Sequence, residues 1–569
     1  MVVKLLIYLL SIWLFTPHCQ GRHKSWEDEY PFIKPASSFL DGDHDYDYII
    51  VGGGAAGCPL AATLSHNFRV LLLERGDVPF DNVNISHFDN VIYNLMDTSP
   101  KSASQAFVST DGVPNNRARV LGGGTCINGG FYSRASTRYF HHVMYIEEAG
   151  WDVELAHNSY TWIERQIVHQ PKIKLFQRTF LNGLLEAGVL SFNGFTYDHH
   201  YGTKITGTIF DKYNRRHTAA TLLASGKFEN LEVLVHATVQ KLLFTKIVLQ
   251  IPNLGKRLLV TGVEFEDENQ IRHQAFLSND KGMKSEIILS SGTIGSPQIL
   301  LLSGIGPRDD LLKLNISMVL ENGFVGKSMF DCSTNYALVQ IEGNVDISPP
   351  QVVGIAKEGV FIEAFGGLNF PAKVIQFGQE HDSTKKTLQA MHVNSGLNEI
   401  SFKKELGGGY LLSKISKPIS RGQMSLISKS VYDQPLVTFN YYRSHNDLSI
   451  CVSGLQLLRK IVRTDSFKNI TNNHKESNGP SIDFDGEESL QKLCKETVRT
   501  VYHYHGGCNM GRVVNNEYKV YGVDRLRVVD GSIFDESPGT NPQATLMMIG
   551  RYMGVKILIN RLGINADKI

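Results

Sequence analysis

The stretch Tyr46–Ser65, YDYIIVGGGAAGCPLAATLS, decides the fold. Tyr48 to Val51 is a short apolar run of strand type, Gly52, Gly54 and Gly57 make a GxGxxG pattern, and an Ala/Leu-rich helical pattern follows. Gly52 allows a tight turn, Gly54 lets backbone approach a pyrophosphate, and Gly57 lets helix pack on strand. The helix N-terminus then faces the phosphates with its unpaired N–H groups. Downstream, FRVLLLERG gives a second buried strand from Phe68 to Leu73, ending at Glu74, 22 residues after Gly52. An acid at that place accepts a hydrogen bond from a ribose hydroxyl. A lone GxGxxG is a weak signal. With both strands and the terminal acid, the stretch predicts a dinucleotide-binding βαβ unit and leaves the choice of dinucleotide open.

The whole chain has 569 residues, too many for one simple domain. Its net charge of +1 gives no electrostatic case for nucleic acid or an anionic membrane. The N-terminus, MVVKLLIYLLSIWLFTPHCQG, has one lysine, an apolar run from Leu5 to Phe15 and a polar break with small residues. That layout predicts a secretory signal peptide over residues 1–21, cleaved near Cys19 to Gly21, because the run is short for a span of about 20 residues. No later segment looks long and apolar enough to cross a membrane. Three acceptor sequons, at Asn84, Asn315 and Asn469, fit the same secreted compartment.

Two further motifs carry clustered glycines. RARVLGGGTCINGGFYSRAS runs from Arg117 to Ser136 and holds Gly122, Gly123 and Gly124, then Asn128-Gly129-Gly130. This is more than one turn requires, and it predicts a backbone loop pressed against something flat or charged. SSGTIGSPQILLLSGIGP, Ser290 to Pro307, follows the strand pattern SEIILS, with Ser296-Pro297 expected to open a helix. Strand, glycine turn and helix again suggest a returning βα unit of the same sheet.

Together these motifs resemble the glucose–methanol–choline (GMC) flavoprotein oxidoreductases, and LRVVDGSIF and NPQATLMMIG match that family in order and spacing. The resemblance spans nearly the whole mature chain. It implies an α/β fold (α+β overall): a discontinuous Rossmann-like FAD-binding domain plus a substrate domain with an antiparallel sheet and helices. It implies FAD as cofactor, bound by Gly52, Gly54, Gly57, Glu74, Gly123, Asn128, Val239, Asp530 and Gln543. Asp530 is expected near the pyrophosphate or ribityl chain, backbone near Asn128 near the flavin, and Val239 at the adenine. The FAD domain is assigned to 44–155, 225–330 and 496–569, and the substrate domain to 156–224 and 331–495. HDSTKKTLQAMHVNSGLNEISFKKELGGG, from His381, reads as a surface excursion or lid.

The stretch TVYHYHGGCNMG, Thr500 to Gly511, holds two histidines two residues apart. In a strand they share a face, so spacing does not choose between them. A metal pair lacks further ligands at HxxxH or CxxC spacing, and no metal is expected. The family's HPxGTxxMG-like stretch, aligned back from Met510-Gly511, places its catalytic histidine on His503. His505 is then a packing or supporting histidine. The family's second residue falls on Asn541. The implied reaction is oxidation of an alcohol: Asn541 donates to the substrate oxygen, His503 takes the hydroxyl proton as general base, and hydride leaves for flavin N5.

Details such as HYHGGC and SPGTNPQATLMMIGRYMGVKIL resemble the plant branch of the family, which holds (R)-mandelonitrile lyases and proteins associated with long-chain ω-hydroxy fatty acid oxidation. The alternative reaction is therefore cleavage of a cyanohydrin to aldehyde and HCN with FAD not used for redox. Cys332, in VGKSMFDCSTN, resembles the lyases' active-site cysteine, and Cys332 and Tyr502 are placed beside the substrate. Against the lyase, Asn541 stands where those enzymes have a second histidine and Val501 where they have a tyrosine. A storage or structural flavoprotein without turnover is a third reading, opposed by the intact His503/Asn541 pair. The partner is in each active case a small alcohol or cyanohydrin. Oligomeric state is not legible. Of the cysteines, Cys451 and Cys494 are the expected disulfide pair, because Cys58, Cys126, Cys332 and Cys508 lie in or beside the motifs.

Overall fold

The computed structural model describes residues 25–42, 45–140, 151–248, 256–278, 284–341, 345–367, 408–471 and 486–563. The expected signal segment and nearly all of the stretch from His381 lie outside them.

Six parallel strands form the first sheet: β1 (Ile33–Pro35), β2 (Tyr48–Val51), β3 (Val70–Leu73), β4 (Leu231–Val235), β5 (Glu286–Leu289) and β6 (Leu526–Val528). Their order is β1-β4-β3-β2-β5-β6. β2 and β3 are buried along their whole length, which is why each reads as a continuous apolar run rather than an alternating one. Helix α1 (Gly57–Leu64) follows β2, α2 (Gly292–Leu302) follows β5, and α3 (Gln543–Leu562) packs on α1. The turn between β2 and α1 needs its glycines. Gly52 has φ +104°, and a Cβ on Gly57 would stand 2.0 Å from the Gly52 carbonyl oxygen.

Two details depart from the sequence reading. The sheet gains β1, which lies ahead of residue 44; it is a three-residue edge strand ending in proline, with only Ile33 buried, so it carries no readable pattern. Helix α2 begins at Gly292, five residues before Pro297, which therefore sits inside it. The Asp530 carboxylate accepts from the Gly292 N–H and from the Ser296 hydroxyl, and so holds the early start in place.

A second six-stranded sheet has the order Thr334–Gln340, Gly408–Ile415, Val360–Gly366, Val352–Ile355, Gly202–Ile205, Phe192–Phe195. All its pairings are antiparallel except the last. Alternate residues such as Ile362, Ala364, Leu411 and Ile415 join Phe176, Phe180 and Leu184 of the helix Leu175–Glu186, and Leu448, Leu455 and Leu458 of the helix His445–Val462. Helices thus cover one face, and the other face is left to line a cavity. Cys451 of the helix His445–Val462 and Cys494 of the helix Glu487–Glu496 are joined as a disulfide with Cα atoms 6.2 Å apart.

The run MSLISKSVYDQPLVTFNYY supplies strands Gly422–Ser425 and Leu436–Thr438, but not to this sheet. Leu436–Thr438 pairs with Gly422–Ser425, Gly422–Ser425 with Lys327–Asp331, and Lys327–Asp331 with Tyr504–His505. The histidine segment is therefore the fourth strand of a small sheet of its own.

Candidate functional site

A cavity of about 1,330 Å³ is shared by both large sheets. The first sheet contributes Gly52, Gly54, Glu74 and Asp530 to its wall; the second contributes Thr334, Tyr336, Glu363, Phe365, Tyr410 and Leu412. Residues 499–504 and Asn541–Gln543 complete it.

Gly54 is the telling position on the first side. A Cβ built there meets nothing of the protein closer than 3.8 Å, so the backbone has no internal reason to lack one. It opens instead on the cavity, ahead of the first turn of α1. Glu74 ends β3, with Oε2 accepting from the Gly53 N–H (3.0 Å) and Oε1 from the Gly76 N–H (2.8 Å). Each oxygen keeps a further acceptor site. Val239 is buried at the start of the strand Thr238–Val248 and lines the cavity. Gly123 lines it too, with φ +57°. Asn128 is clamped: Nδ2 donates to Gln543 Oε1 (2.8 Å), while Oδ1 accepts from the Gly130 N–H and from Arg216. Gln543 in turn donates to the Phe131 carbonyl. Both side chains therefore shape the glycine loop. Asp530 is equally committed, its other oxygen accepting from the Ser532 N–H and hydroxyl. Burial raises its pKa, against the pull of these four donors. Its polar contribution to the wall passes through the loop it braces.

The two histidines separate in space. Tyr502 has φ +63°, which breaks the strand, and the regular segment is only Tyr504–His505. His503 lines the cavity; its Nδ1 is enclosed without a hydrogen-bond partner, which leaves Nε2 as the nitrogen open to the cavity. His505 is fully buried between the rings of Phe330 (5.0 Å) and Phe534 (5.5 Å). Burial drives both imidazoles toward the neutral form, His505 down to about 3. For His503 the nearby Lys414 and His505 act in the same direction.

Neighbouring elements hold this segment. Tyr504 donates to the Asn116 carbonyl (2.7 Å), and Asn116 Nδ2 donates to the Tyr502 hydroxyl (3.1 Å). Asn116 belongs to the hairpin Ser104–Val108/Pro114–Ala118. Asp331, pushed up to about 6 by burial, accepts from the Tyr441 hydroxyl at 2.6 Å and pairs across the strand with Tyr504.

Of the expected substrate residues, Tyr502 lines the cavity and Cys332 does not. Cys332 is enclosed near Ser537 (Sγ to Oγ 3.5 Å), and burial pushes its thiol up to about 12. It follows the last residue of Lys327–Asp331, and its side chain turns into packing. Of the sequons, Asn315 and Asn469 are exposed and Asn84 is half-buried.

The sequence reading missed several residues of the wall and one lying behind it. Tyr410, Leu412 and Lys414 share one face of Gly408–Ile415, beside Phe361, Glu363 and Phe365 of the next strand. Lys414 donates to Asn541 Oδ1 at 2.6 Å. A lysine in step with two apolar residues of a buried strand was the available signal. Arg75 and Arg117 line the cavity and share the Gln105 side-chain amide oxygen Oε1, each at 2.9 Å. Among the described residues Arg117 hydrogen-bonds no carboxylate.

Comparison with known proteins agrees with this geometry. Models of the GMC oxidoreductase family match residues 46–332 and 418–550. The chain is 48% identical to Protein HOTHEAD of Arabidopsis thaliana, covering 99% of both chains. It is 41% identical to the Arabidopsis protein named (R)-mandelonitrile lyase-like, over 93% of both. It is 39% identical to sinalpyl alcohol oxidase Nec3 of Nesocodon mauritianus, over 94% of this chain and 92% of that one. Among solved structures, a formate oxidase shares the fold with TM-score 0.73 at 18% identity, covering 92% of this chain and all of that one. No described helix is long and apolar enough to cross a membrane.

Proposed function

This chain belongs to the GMC oxidoreductase family, its cofactor is FAD and it acts on CH–OH donors, and from that premise we propose that it oxidises an apolar or aromatic primary alcohol with His503 as general base. The cavity fits the cofactor. Gly54 leaves open backbone at the α1 N-terminus, Glu74 keeps acceptor capacity for a ribose, and Arg117 is a guanidinium that among the described residues meets only a neutral oxygen, suited to a diphosphate. Bound FAD supplies the acceptor for the hydride lost from the substrate carbon.

The protein's own residues do the rest. A hydroxyl between His503 and Asn541 donates its proton to Nε2 and accepts a hydrogen bond from the amide. Proton removal at oxygen raises electron density at the adjacent carbon, and general-base help of this kind is typically worth about 10²–10⁴ in rate. Tyr336, Phe365, Tyr410 and Leu412 give the substrate an apolar wall, and Tyr410 lies 5.5 Å from Phe365 and 5.9 Å from Tyr336 between ring centroids. The observation that carries the reading is that one cavity joins the open glycine turn to a neutral imidazole and an amide.

Cyanohydrin cleavage is the second reading, favoured by the likeness to (R)-mandelonitrile lyase-like and by (R)-mandelonitrile lyase 1 of Prunus serotina at 38% identity. The same imidazole would take the hydroxyl proton. One anaerobic experiment separates the two. Benzyl alcohol should bleach the flavin absorbance; aldehyde and cyanide released from (R)-mandelonitrile with the flavin still oxidised would instead establish the lyase. We also infer secretion with loss of residues 1–21, checked by N-terminal sequencing of protein recovered from the medium.

A further inference from the structure

Lys414 is almost wholly buried, its side chain 2% exposed. A buried ammonium is costly unless partnered. Lys414 has three partners: Asn541 Oδ1 at 2.6 Å, Glu363 Oε1 at 3.5 Å, and the Phe361 ring, with Nζ 4.2 Å from its centroid. Phe361 lies directly across the strand pairing from Lys414, so the ring and the ammonium are held together by register.

An ammonium only donates. The Asn541 atom facing it is therefore the oxygen, and the amide Nδ2 is turned the other way. Asn541 lines the cavity, and its Nδ2 is not among the enclosed unpartnered atoms. We propose that Lys414 is a positioning residue for the reaction at His503: it fixes the Asn541 amide so that Nδ2, and not Oδ1, meets the substrate oxygen. This rests on the reading of His503 as proton acceptor. A hydroxyl has one proton to give. Facing a neutral imidazole and an amide oxygen, it would meet two acceptors; facing an imidazole and an amide N–H, it meets one of each. Lys414 sets that polarity from outside the cavity wall.

The same charge acts on His503 through space. The charged and titratable groups around His503 are Lys414 and His505, which both disfavour its protonation, Asp331 on the paired strand opposite Tyr504, and Glu363 beside Lys414. Removing the ammonium raises the His503 pKa, so the acid limb of kcat/KM moves to higher pH.

The test uses the flavin-loaded enzyme with benzyl alcohol, and Lys414→Met, Asn541→Ala and the double variant. Bound-flavin absorbance and Tm report folding. Lys414→Met is expected to retain flavin, to lower kcat about 100-fold, the scale of losing one aligned donor, and to move the acid limb upward. In the Asn541→Ala background Lys414→Met should lower kcat little further. Full activity of Asn541→Ala would sink the functional reading. A damaged Asn541→Ala with an unaffected Lys414→Met, or fully additive losses, would overturn the positioning role alone. Should Lys414→Met not fold, Lys414→Met/Glu363→Gln removes the buried pair together, keeps the core neutral, and carries the same expectations.

Discussion

His503 and His505 are the same residue type, two positions apart, with opposite surroundings. His505 has a phenyl ring on each face and is fully buried; His503 has a wall of the cavity on one side. Only His503 can meet a ligand. His503→Ala is expected to keep the flavin, since Gly54, Glu74 and Arg117 are left unchanged, and to lower kcat by about 10²–10⁴; bound-flavin absorbance and steady-state rates check both halves. The pH profile follows from the sign of the shift. Burial, aided by Lys414, places the His503 pKa well below its usual value, so the base stays unprotonated as pH falls through 6.5. The acid limb of kcat/KM belongs below that pH, and a limb centred at or above 6.5 would contradict the assignment.

At the scale of elements, the turn between β2 and α1 and the sheet Thr334–Gln340/Gly408–Ile415/Val360–Gly366 do different work. The turn is built by sterics. Gly57 has no room for a side chain because of the protein, whereas Gly54 has room as far as the protein is concerned. Gly54→Val should therefore fold, with unchanged far-ultraviolet circular dichroism, yet purify with little or no yellow colour. Full flavin content in that variant would move the cofactor away from this turn. The sheet works by alternation. Tyr410 and Leu412 line the cavity, with Lys414 on the same face behind its wall, while Leu411 and Ile415 pack on helices, so one strand serves core and site together. A one-residue slip of register would exchange the two sets.

For the whole molecule, a fully buried histidine makes stability depend on pH. His505 has a folded pKa pushed down to about 3 by burial, half-buried His199 is pushed the same way, and His503 is lowered too. The unfolded chain binds a proton at each below about 6.5, and the folded chain does not. Stability is full above that value and falls as pH drops through it, by about 1.4 kcal/mol per pH unit for each such group. Tm should fall steadily between pH 6.5 and 5, and His505→Gln should flatten that slope; an unchanged slope would mean that His505 is charged in the fold.

The sequence by itself determined the parallel sheet and the glycine turn, because each depends on local spacing: apolar runs of strand length, glycines where a Cβ collides, an acid at a strand end; His503 and Asn541 came instead from the resemblance to the family's motifs. It also singled out Cys451 and Cys494, which the fold joins. What only the tertiary structure decided is which groups meet across distance. Lys414 and Asn541 stand 127 residues apart and touch at 2.6 Å because two sheets close on one cavity. Cys332 matched a motif and yet turned into packing, since the direction of a side chain after a strand end is set by its neighbours in space. The different surroundings of the two histidines rest on the same fact: Tyr502 departs from extended backbone, and the alternation that would have aligned them is broken.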